Sequence, residues 1–194
     1  ITPHKNQPNT SGQHRLAMLQ LALASLPREG QQAIPKGLGV DIESFELDHD
    51  RPSYTLHTLQ HLRAQWGSKT PLVWLIGMDS LTTLNRWHGW RRLLQYAHIA
   101  VLRRPGYQLP AVGEVAQWWL EHRAACEQLS AHPAGHCVML ESEEIAISST
   151  EIRQLCAASG EGGLAASIIE QQLATLVTPA VARYIADKHL YSTK

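Results

Sequence analysis

The sequence lacks an excess of charge of either sign and lacks any long apolar run. Seventeen basic residues balance seventeen acidic ones among 194 residues, so the chain has no electrostatic footprint for duplex nucleic acid or an anionic membrane. No run approaches the roughly 18 consecutive apolar residues of a membrane span, and neither a secretory signal nor a basic leader opens the sequence. These absences predict a protein that binds neither nucleic acid nor a membrane.

Cysteine is scarce, and the spacing of the cysteines matches no known pairing motif. Cys126, Cys137 and Cys156 are widely spaced and form no CxxC motif. An odd number of separated cysteines favours free thiols in a reducing compartment over a disulfide framework. We therefore predict a cytoplasmic protein.

Several catalytic signatures are also missing. Gly160-Glu161-Gly162-Gly163 lacks the ending of a phosphate-binding P-loop, and no GxSxG or HExxH motif occurs. His57 and His61 lie four residues apart and could form a metal pair, but no third ligand is spaced to join them. We interpret this pair as the solvated face of a helix and predict no protein-bound metal.

The hydrophobic pattern indicates one globular α/β domain over residues 1–194, with a helical C-terminal part over 148–194. Hydrophobic residues make up 44% and charged residues 18% of the chain. Short apolar runs at 72–76, 98–102 and 137–140, with an alternating segment at 38–42, predict strands. Helices are predicted between or beyond them at 10–26, 53–66, 90–96, 112–129, 164–176 and 179–189, with a further helix after Thr150. Strands that alternate with helices are typical of a doubly wound, mostly parallel, Rossmann-like sheet.

The segment from Leu72 to Trp90 is the centre of this prediction. Its apolar run predicts a strand buried on both faces, which ends at Gly77. Beyond the strand, a glycine allows a ligand to approach the backbone, Asp79 can accept hydrogen bonds from hydroxyl groups, and Trp87 can stack on a flat ring. The pattern suggests a nucleotide site, although a plain strand-turn-helix with core tryptophans has the same pattern.

Charged and hydroxyl residues elsewhere favour an anionic ligand. Residues 147–153, ISSTEIR, place hydroxyl groups at a helix start, and Arg153 one turn later can bind a phosphate; an ordinary capped helix with a surface arginine would have the same pattern. Arg103 and Arg104 directly follow a predicted strand. They are therefore better placed than His4 and Lys5, which lie in a loop.

In this order and at these distances, the motifs resemble those of bacterial nicotinate-nucleotide adenylyltransferases, in the nucleotidyltransferase superfamily that carries an HxGH motif. The resemblance covers nearly the whole chain. The matching segments are Pro3-His4-Lys5, Pro52-Ser53-Tyr54-Thr55 with Thr58-Leu59, Ile76 to Leu81, Trp87, Arg103 to Tyr107, Ile147 to Arg153, Tyr184-Ile185 and Leu190-Tyr191.

The resemblance implies transfer of AMP from ATP to nicotinate mononucleotide, with Mg²⁺ bound through the substrate phosphates. It implies that Thr55 and the backbone at Trp87 and His88 receive the nicotinate carboxylate, while the Trp87 ring stacks on the pyridine. The other roles that it implies are as follows: Gly77 and Asp79 meet the nucleotide sugars, Arg104 lies near the adenine, Ser149, Thr150 and Arg153 hold the ATP phosphates, and His4 and Lys5 close over phosphate. Arg153, His4 and Lys5 are the expected catalytic residues.

One departure from the family qualifies this prediction. The signature GTFDPxHxGH is expected upstream of His4 and is absent, so we expect an incomplete chain that lacks a strand-loop-helix unit of roughly 30 or more residues. Residues 164–175 have no assigned role. The alternatives are a related enzyme for another acceptor, such as phosphopantetheine or a sugar or polyol phosphate, and a nucleotide-binding protein without activity. A homo-oligomer is compatible with the sequence.

Overall fold

A computed structural model describes residues 10–26, 39–48, 52–141, 149–158 and 166–191, which divide into two compact units. The first unit contains residues 52–141, and the second contains the other described ranges. Each has its own apolar core. The organisation of residues 1–194 as a single domain stays a prediction.

The first unit is built on a parallel sheet. The strands β1 (Val73–Gly77), β2 (His98–Leu102) and β3 (Cys137–Leu140) lie in the order β1-β2-β3. Gly77 is opposite Leu102, and Leu102 is opposite Leu140, so the three strands end at the same edge. These strands confirm the predicted parallel α/β class.

Helices account for most of the remaining regular structure in the described ranges. In chain order they are α1 (Gly12–Ala24), α2 (Thr55–Trp66), α3 (Met78–Leu81), α4 (Glu114–His122), α5 (Ser149–Ala158), α6 (Ala166–Leu173) and α7 (Pro179–Asp187), with 3₁₀ helices at Leu84–Arg86, Trp90–Gln95 and Cys126–Ser130. Helix α2 agrees with its prediction, including the stop at Gly67.

The prediction that β1 is buried on both faces is wrong. Val73 and Leu75 are 47% and 54% exposed, whereas Ile76 on the opposite face is buried. The reason is position, since β1 is at the edge of the described sheet and β2 lies in the middle with both faces covered. An apolar run alone does not distinguish an edge strand from a central one.

The strand predicted at 38–42 is not found in its described part, residues 39–42. The N–H of Ile42 donates to the carboxylate of Asp41 at 2.8 Å, a local bond that replaces pairing with a neighbouring strand. Val40 is exposed and therefore gains nothing from burial.

The long helix predicted over 112–129 is interrupted. Helix α4 ends at His122, because Arg123 forms a bridge with Cys137 and the N–H of Ala124 donates to the Cys137 carbonyl at 2.8 Å. Pairing with the sheet thus takes over the backbone that would have continued the helix. The predicted helix at 90–96 is a 3₁₀ helix.

Arg63 attaches α2 to the loops around the sheet. Its guanidinium donates hydrogen bonds to the carbonyl oxygens of Gly67, Thr70, Tyr96 and Pro133 at 2.8, 2.6, 2.5 and 2.7 Å. A planar guanidinium can donate several bonds at once. The position of α2 is therefore fixed at its C-terminal half as well as by the buried Leu59.

A histidine cluster lies at the amino ends of β2 and β3. His98 is fully buried; its Nδ1 accepts from the backbone N–H of His136 at 3.1 Å, so its Nε2 carries the proton donated to the His132 carbonyl at 2.8 Å. The rings of His98 and His136 are stacked with centroids 5.4 Å apart. Desolvation, reinforced by the neighbouring histidines His98, His132 and His122, lowers the pKa of His136.

The second unit is helical in the described ranges. Ser11 caps α1, as predicted, by accepting from the N–H of His14 at 3.3 Å. Thr178 precedes α7 as predicted, but its hydroxyl makes no capping bond. The His14 Nδ1 lies 2.9 Å from the Tyr184 hydroxyl and links α1 to α7.

The thiols agree with the cysteine prediction. None of the three cysteines, all within the described ranges, forms a disulfide, and burial raises the pKa of Cys137 to about 12 and also raises that of Cys156. Such thiols are poor nucleophiles near neutral pH. None of the helices in the described ranges is long and apolar enough to cross a bilayer.

Candidate functional site

The carboxyl edge of the sheet brings together Gly77, Asp79 and Arg104. Gly77 ends β1, Asp79 is in the first turn of α3, and Arg104 follows β2 by two residues. The Arg104 Nε lies 3.5 Å from the Asp79 carboxylate. The parallel register therefore unites three predicted site residues that are up to 27 positions apart in the sequence.

Gly77 leaves space here for the side chains of Asp79 and Arg104. Its φ is −81°, which any residue can adopt, but a Cβ at this position would overlap the Asp79 carboxylate and lie 3.0 Å from the Arg104 Nε. Both obstacles are ends of flexible side chains. A larger residue would thus displace the ion pair more readily than it would disturb the strand.

The Asp79 to Arg104 pair is too exposed to contribute much to folding. Their side chains are 27% and 57% exposed, and such surface pairs contribute roughly 0 to 1 kcal/mol. The Asp79 carboxylate can accept hydrogen bonds, and the Arg104 guanidinium can donate them. Both lie beside Gly77 and provide polar groups for a ligand at the strand ends.

The start of α2 provides a second group of donors. Tyr54 precedes the helix without a side-chain cap, and its carbonyl accepts from the N–H groups of His57 and Thr58. Among the described residues, no acceptor is found for the N–H groups of Thr55 and Leu56. Unpaired donors at a helix N-terminus, aided by the helix dipole, favour an anion.

The loop at 87–89 packs against this helix start. The rings of Tyr54 and His88 have centroids 4.6 Å apart. Gly89 has a φ of +61°, and a Cβ there would lie 2.6 Å from a methyl group of Leu56. A glycine is required on both counts. His88 is thus held against Tyr54, the residue that precedes Thr55 in the chain.

Trp87 stands at this loop with part of its ring buried against the core of the first unit. Its backbone N–H already donates to the Leu84 carbonyl at 2.9 Å. The N–H of His88, an exposed residue, has no acceptor within the described part of the chain. Of the two backbone donors expected for a carboxylate, His88 is the one without a bond.

The interpretation of His57, with His61, as part of a solvated helix face is wrong for His57, which is half-buried between other rings. The His57 ring contacts both Tyr54 and His88, with centroids at 5.5 and 5.8 Å. Its Nδ1 is buried, and no described residue bonds to it. The resemblance assigned no role to this position, which lies between the matching residues Thr55 and Thr58.

A third group lies on α5 in the second unit. Ser149 and Thr150 are in the first turn and are exposed, and Arg153 lies four residues after Ser149, on the same face. The Arg153 guanidinium carbon is 5.9 Å from the centre of the Tyr191 ring. The sequence did not predict that Tyr191 would pack against Arg153. Tyr191 adopts the left-handed conformation at φ 68°.

Two expected site residues, His4 and Lys5, lie outside the described residues. Within the described ranges, no group of three or more His, Cys, Asp or Glu side chains is arranged to hold a metal ion. The convergence of Trp87 and Arg153 on one ligand stays a prediction.

Comparison with known proteins adds independent findings. A family model described as cytidylyltransferase-like matches residues 1–155. A probable nicotinate-nucleotide adenylyltransferase of Cellvibrio japonicus is 38% identical over 191 residues, which cover 98% of this chain and 80% of the relative. A protein of the same name from Serratia proteamaculans is 37% identical over 79% of this chain, and the match spans 66% of that relative.

A solved structure supports the fold. Plasmodium falciparum nicotinic acid mononucleotide adenylyltransferase, complexed with NaAD, matches with a TM-score of 0.59 and 14% identity. The match covers 94% of this chain and 75% of the other. At that identity the likeness is one of fold.

Proposed function

The chain belongs to the nicotinate-nucleotide adenylyltransferases, a family of cytidylyltransferase-like enzymes, and we propose that it transfers AMP from ATP to nicotinate mononucleotide. The products are nicotinate adenine dinucleotide and pyrophosphate, in the biosynthesis of NAD. The observation that carries the choice of acceptor is the packing of the 87–89 loop on the start of α2.

That packing supports recognition of a pyridine ring with an acidic substituent. The unpaired N–H groups of Thr55 and His88 are donors suited to a carboxylate, and the Trp87 indole offers a face on which the ring can stack. A carboxamide presents only one acceptor oxygen and adds an NH₂ group that these donors cannot satisfy. The arrangement therefore favours nicotinate over nicotinamide mononucleotide.

We propose that the remaining candidate residues bind ATP, the adenylyl donor. We place the nucleotide sugars near Gly77 and Asp79, with Arg104 near the adenine. Ser149, Thr150 and Arg153 hold the ATP phosphates, and His4 and Lys5 close over phosphate. An exposed guanidinium one turn into a helix can donate to a phosphate with two N–H groups.

In the proposed reaction, a phosphate oxygen of the mononucleotide attacks the α-phosphorus of ATP. The new bond joins that oxygen to the α-phosphorus, the bond from the α-phosphorus to the bridging oxygen breaks, and pyrophosphate leaves with the electron pair. No protein nucleophile is needed, because this chemistry depends on alignment and on neutralisation of charge.

Mg²⁺ fits this scheme as an ion carried by the ATP phosphates. The Asp79 carboxylate is paired with Arg104, and the described residues offer no group of ligands that would hold the ion without substrate. Mg²⁺ commonly keeps several waters and binds through substrate phosphates. When bound, it would neutralise charge on the phosphates. We further propose that the enzyme works in the cytoplasm, and a homo-oligomer is compatible with this function.

A panel of acceptors tests the proposal. The complete gene product is assayed for pyrophosphate release from ATP with nicotinate mononucleotide, nicotinamide mononucleotide, phosphopantetheine or a sugar phosphate. We expect the first acceptor to be used most efficiently and nicotinamide mononucleotide much more slowly. Equal rates for both mononucleotides would contradict recognition of the carboxylate. Preference for another acceptor would mean that the proposed substrate is wrong. Binding of ATP without turnover would indicate a non-catalytic protein.

A further inference from the structure

The ring of His57, in the first turn of α2, contacts both Tyr54, which precedes the helix, and His88 of the 87–89 loop. Building on the proposed function, we propose that His57 is a positioning residue that holds His88 against α2 and thereby sets the preference for an acidic pyridine substituent. No part of the family resemblance assigned it this role.

The rings of Tyr54, His57 and His88 pack against one another as a cluster of three. The His57 ring meets Tyr54 edge-on at an interplanar angle of 88° and meets His88 at 63°. Tyr54 and His88 also contact each other at 4.6 Å. Each of the three rings therefore touches the other two, and moving one would move the others.

Leu56, the preceding residue, holds the same loop from a second point. Its methyl group occupies the space that a Cβ of Gly89 would fill. Consecutive residues of α2 thus fix consecutive residues of the loop, His57 through His88 and Leu56 through Gly89. This double contact holds the loop on the helix start, where the N–H groups of Thr55 and His88 have no acceptor in the described part of the chain.

The ring of His57 is held by packing. Its Nδ1 is buried and bonds to no described residue, so that nitrogen contributes no hydrogen bond that could orient the ring. A phenyl ring of similar shape should therefore preserve the position of His88, whereas a methyl group should not. This distinction separates a role of the ring from a role of its nitrogen.

A loosened loop affects the two mononucleotides differently. The two oxygens of a carboxylate can accept from two N–H donors, and such charge-assisted bonds depend on their alignment. A carboxamide gains little from the second donor and loses little when it moves. The ratio of kcat/KM for nicotinate to that for nicotinamide mononucleotide should fall when His57 is shortened.

The experiment compares His57→Ala, His57→Phe and His61→Ala in the complete gene product. His61→Ala is the matched control, because it removes an imidazole one turn further along the same helix. Two quantities are measured: steady-state kinetics for both mononucleotides and ATP, and amide hydrogen exchange of the peptide that spans residues 84–92. Exchange is measured without substrate and therefore does not depend on the proposed reaction.

We expect His57→Ala to raise KM for nicotinate mononucleotide by about tenfold, the scale of a misaligned contact, with KM for ATP nearly unchanged. Exchange over 84–92 should become faster. His57→Phe should restore both quantities, and His61→Ala should change neither.

Three results would overturn the inference. They are unchanged hydrogen exchange in His57→Ala, equal increases in KM for nicotinate mononucleotide and KM for ATP in that variant, and a His57→Phe variant that behaves like His57→Ala. Failure of the proposed function gives a different result, since the unaltered protein would then not use nicotinate mononucleotide while exchange still reported on the loop.

Discussion

The two units present their candidate residues in different ways. In the first unit, the candidate groups at the start of α2 and in the 87–89 loop are backbone donors and an indole ring, held by packing around Tyr54, Leu56 and Gly89. In the second unit, they are exposed side chains along one face of α5. In the proposed function, the first arrangement recognises shape and bonding pattern, whereas the second supplies charge.

This difference matches what the proposed substrates require. A pyridine ring with one carboxylate must be distinguished from a close analogue, which demands fixed geometry. A triphosphate presents many equivalent oxygens, so an exposed arginine that packs on a tyrosine ring can serve. The contrast predicts that variants at the start of α2 and in the 87–89 loop change KM for the mononucleotide, while variants on α5 change turnover and use of ATP.

The largest effect is expected from Arg153→Ala. Loss of a guanidinium that neutralises developing charge should lower kcat/KM by about 10² to 10³-fold. KM for nicotinate mononucleotide should change little. Steady-state kinetics with each substrate varied in turn measures this, and Arg183→Ala is a control because that arginine is also exposed on a helix of the second unit. An equal loss of kcat/KM in both variants would contradict the assignment of Arg153 to the ATP phosphates.

Trp87→Ala tests the 87–89 loop of the first unit. Losing a stacking platform costs about 1 to 3 kcal/mol, so KM for nicotinate mononucleotide should rise about tenfold or more while KM for ATP rises much less. Trp66→Ala is the matched control, since Trp66 is 57% exposed at the far end of α2. The stacking assignment fails if KM for ATP responds more strongly than KM for the mononucleotide.

Gly77→Ala tests whether the strand-end pair serves ligand binding or folding. The added methyl group must displace Asp79 and Arg104, both flexible at their ends. Since such an exposed pair contributes roughly 0 to 1 kcal/mol, the midpoint of thermal unfolding should move little, while activity should fall by about tenfold. A large loss of thermal stability with normal activity in the remaining folded protein would show that the glycine serves the fold.

The smallest effect concerns pH and lies in the first unit, away from the strand ends. Because the pKa of folded His136 is below the ordinary value of about 6.5, the unfolded chain binds more protons just below that pH. The free energy of unfolding should thus decrease as pH falls from about 6.5 through the folded pKa. Urea unfolding at several pH values should show a shallower decrease in His136→Gln; an unchanged slope would assign the effect to other groups.

Sequence reasoning was most successful where the signal is local. The apolar runs of β2 and β3, the Ser11 cap and the stop at Gly67 are each set by neighbouring residues. Predictions failed where the outcome depends on partners distant in sequence. The exposure of β1 follows from its place at the sheet edge, and α4 ends because Ala124 pairs with Cys137.

The site was predicted in the same uneven way. The resemblance identified Gly77, Asp79 and Arg104 as separate motif residues, but their meeting depends on the register between β1 and β2. The contacts of His57 depend on a loop some 30 residues later in the chain. No local pattern could reveal that an unremarkable helix histidine touches the proposed pyridine site.

The central claim is that the start of α2 and the 87–89 loop bind the nicotinate end of the product. A crystal structure of the complete gene product with nicotinate adenine dinucleotide tests this most directly. We predict a pyridine ring that stacks on Trp87 and a carboxylate that accepts from the N–H groups of Thr55 and His88. A pyridine ring bound away from Trp87 and from the start of α2 would contradict the account.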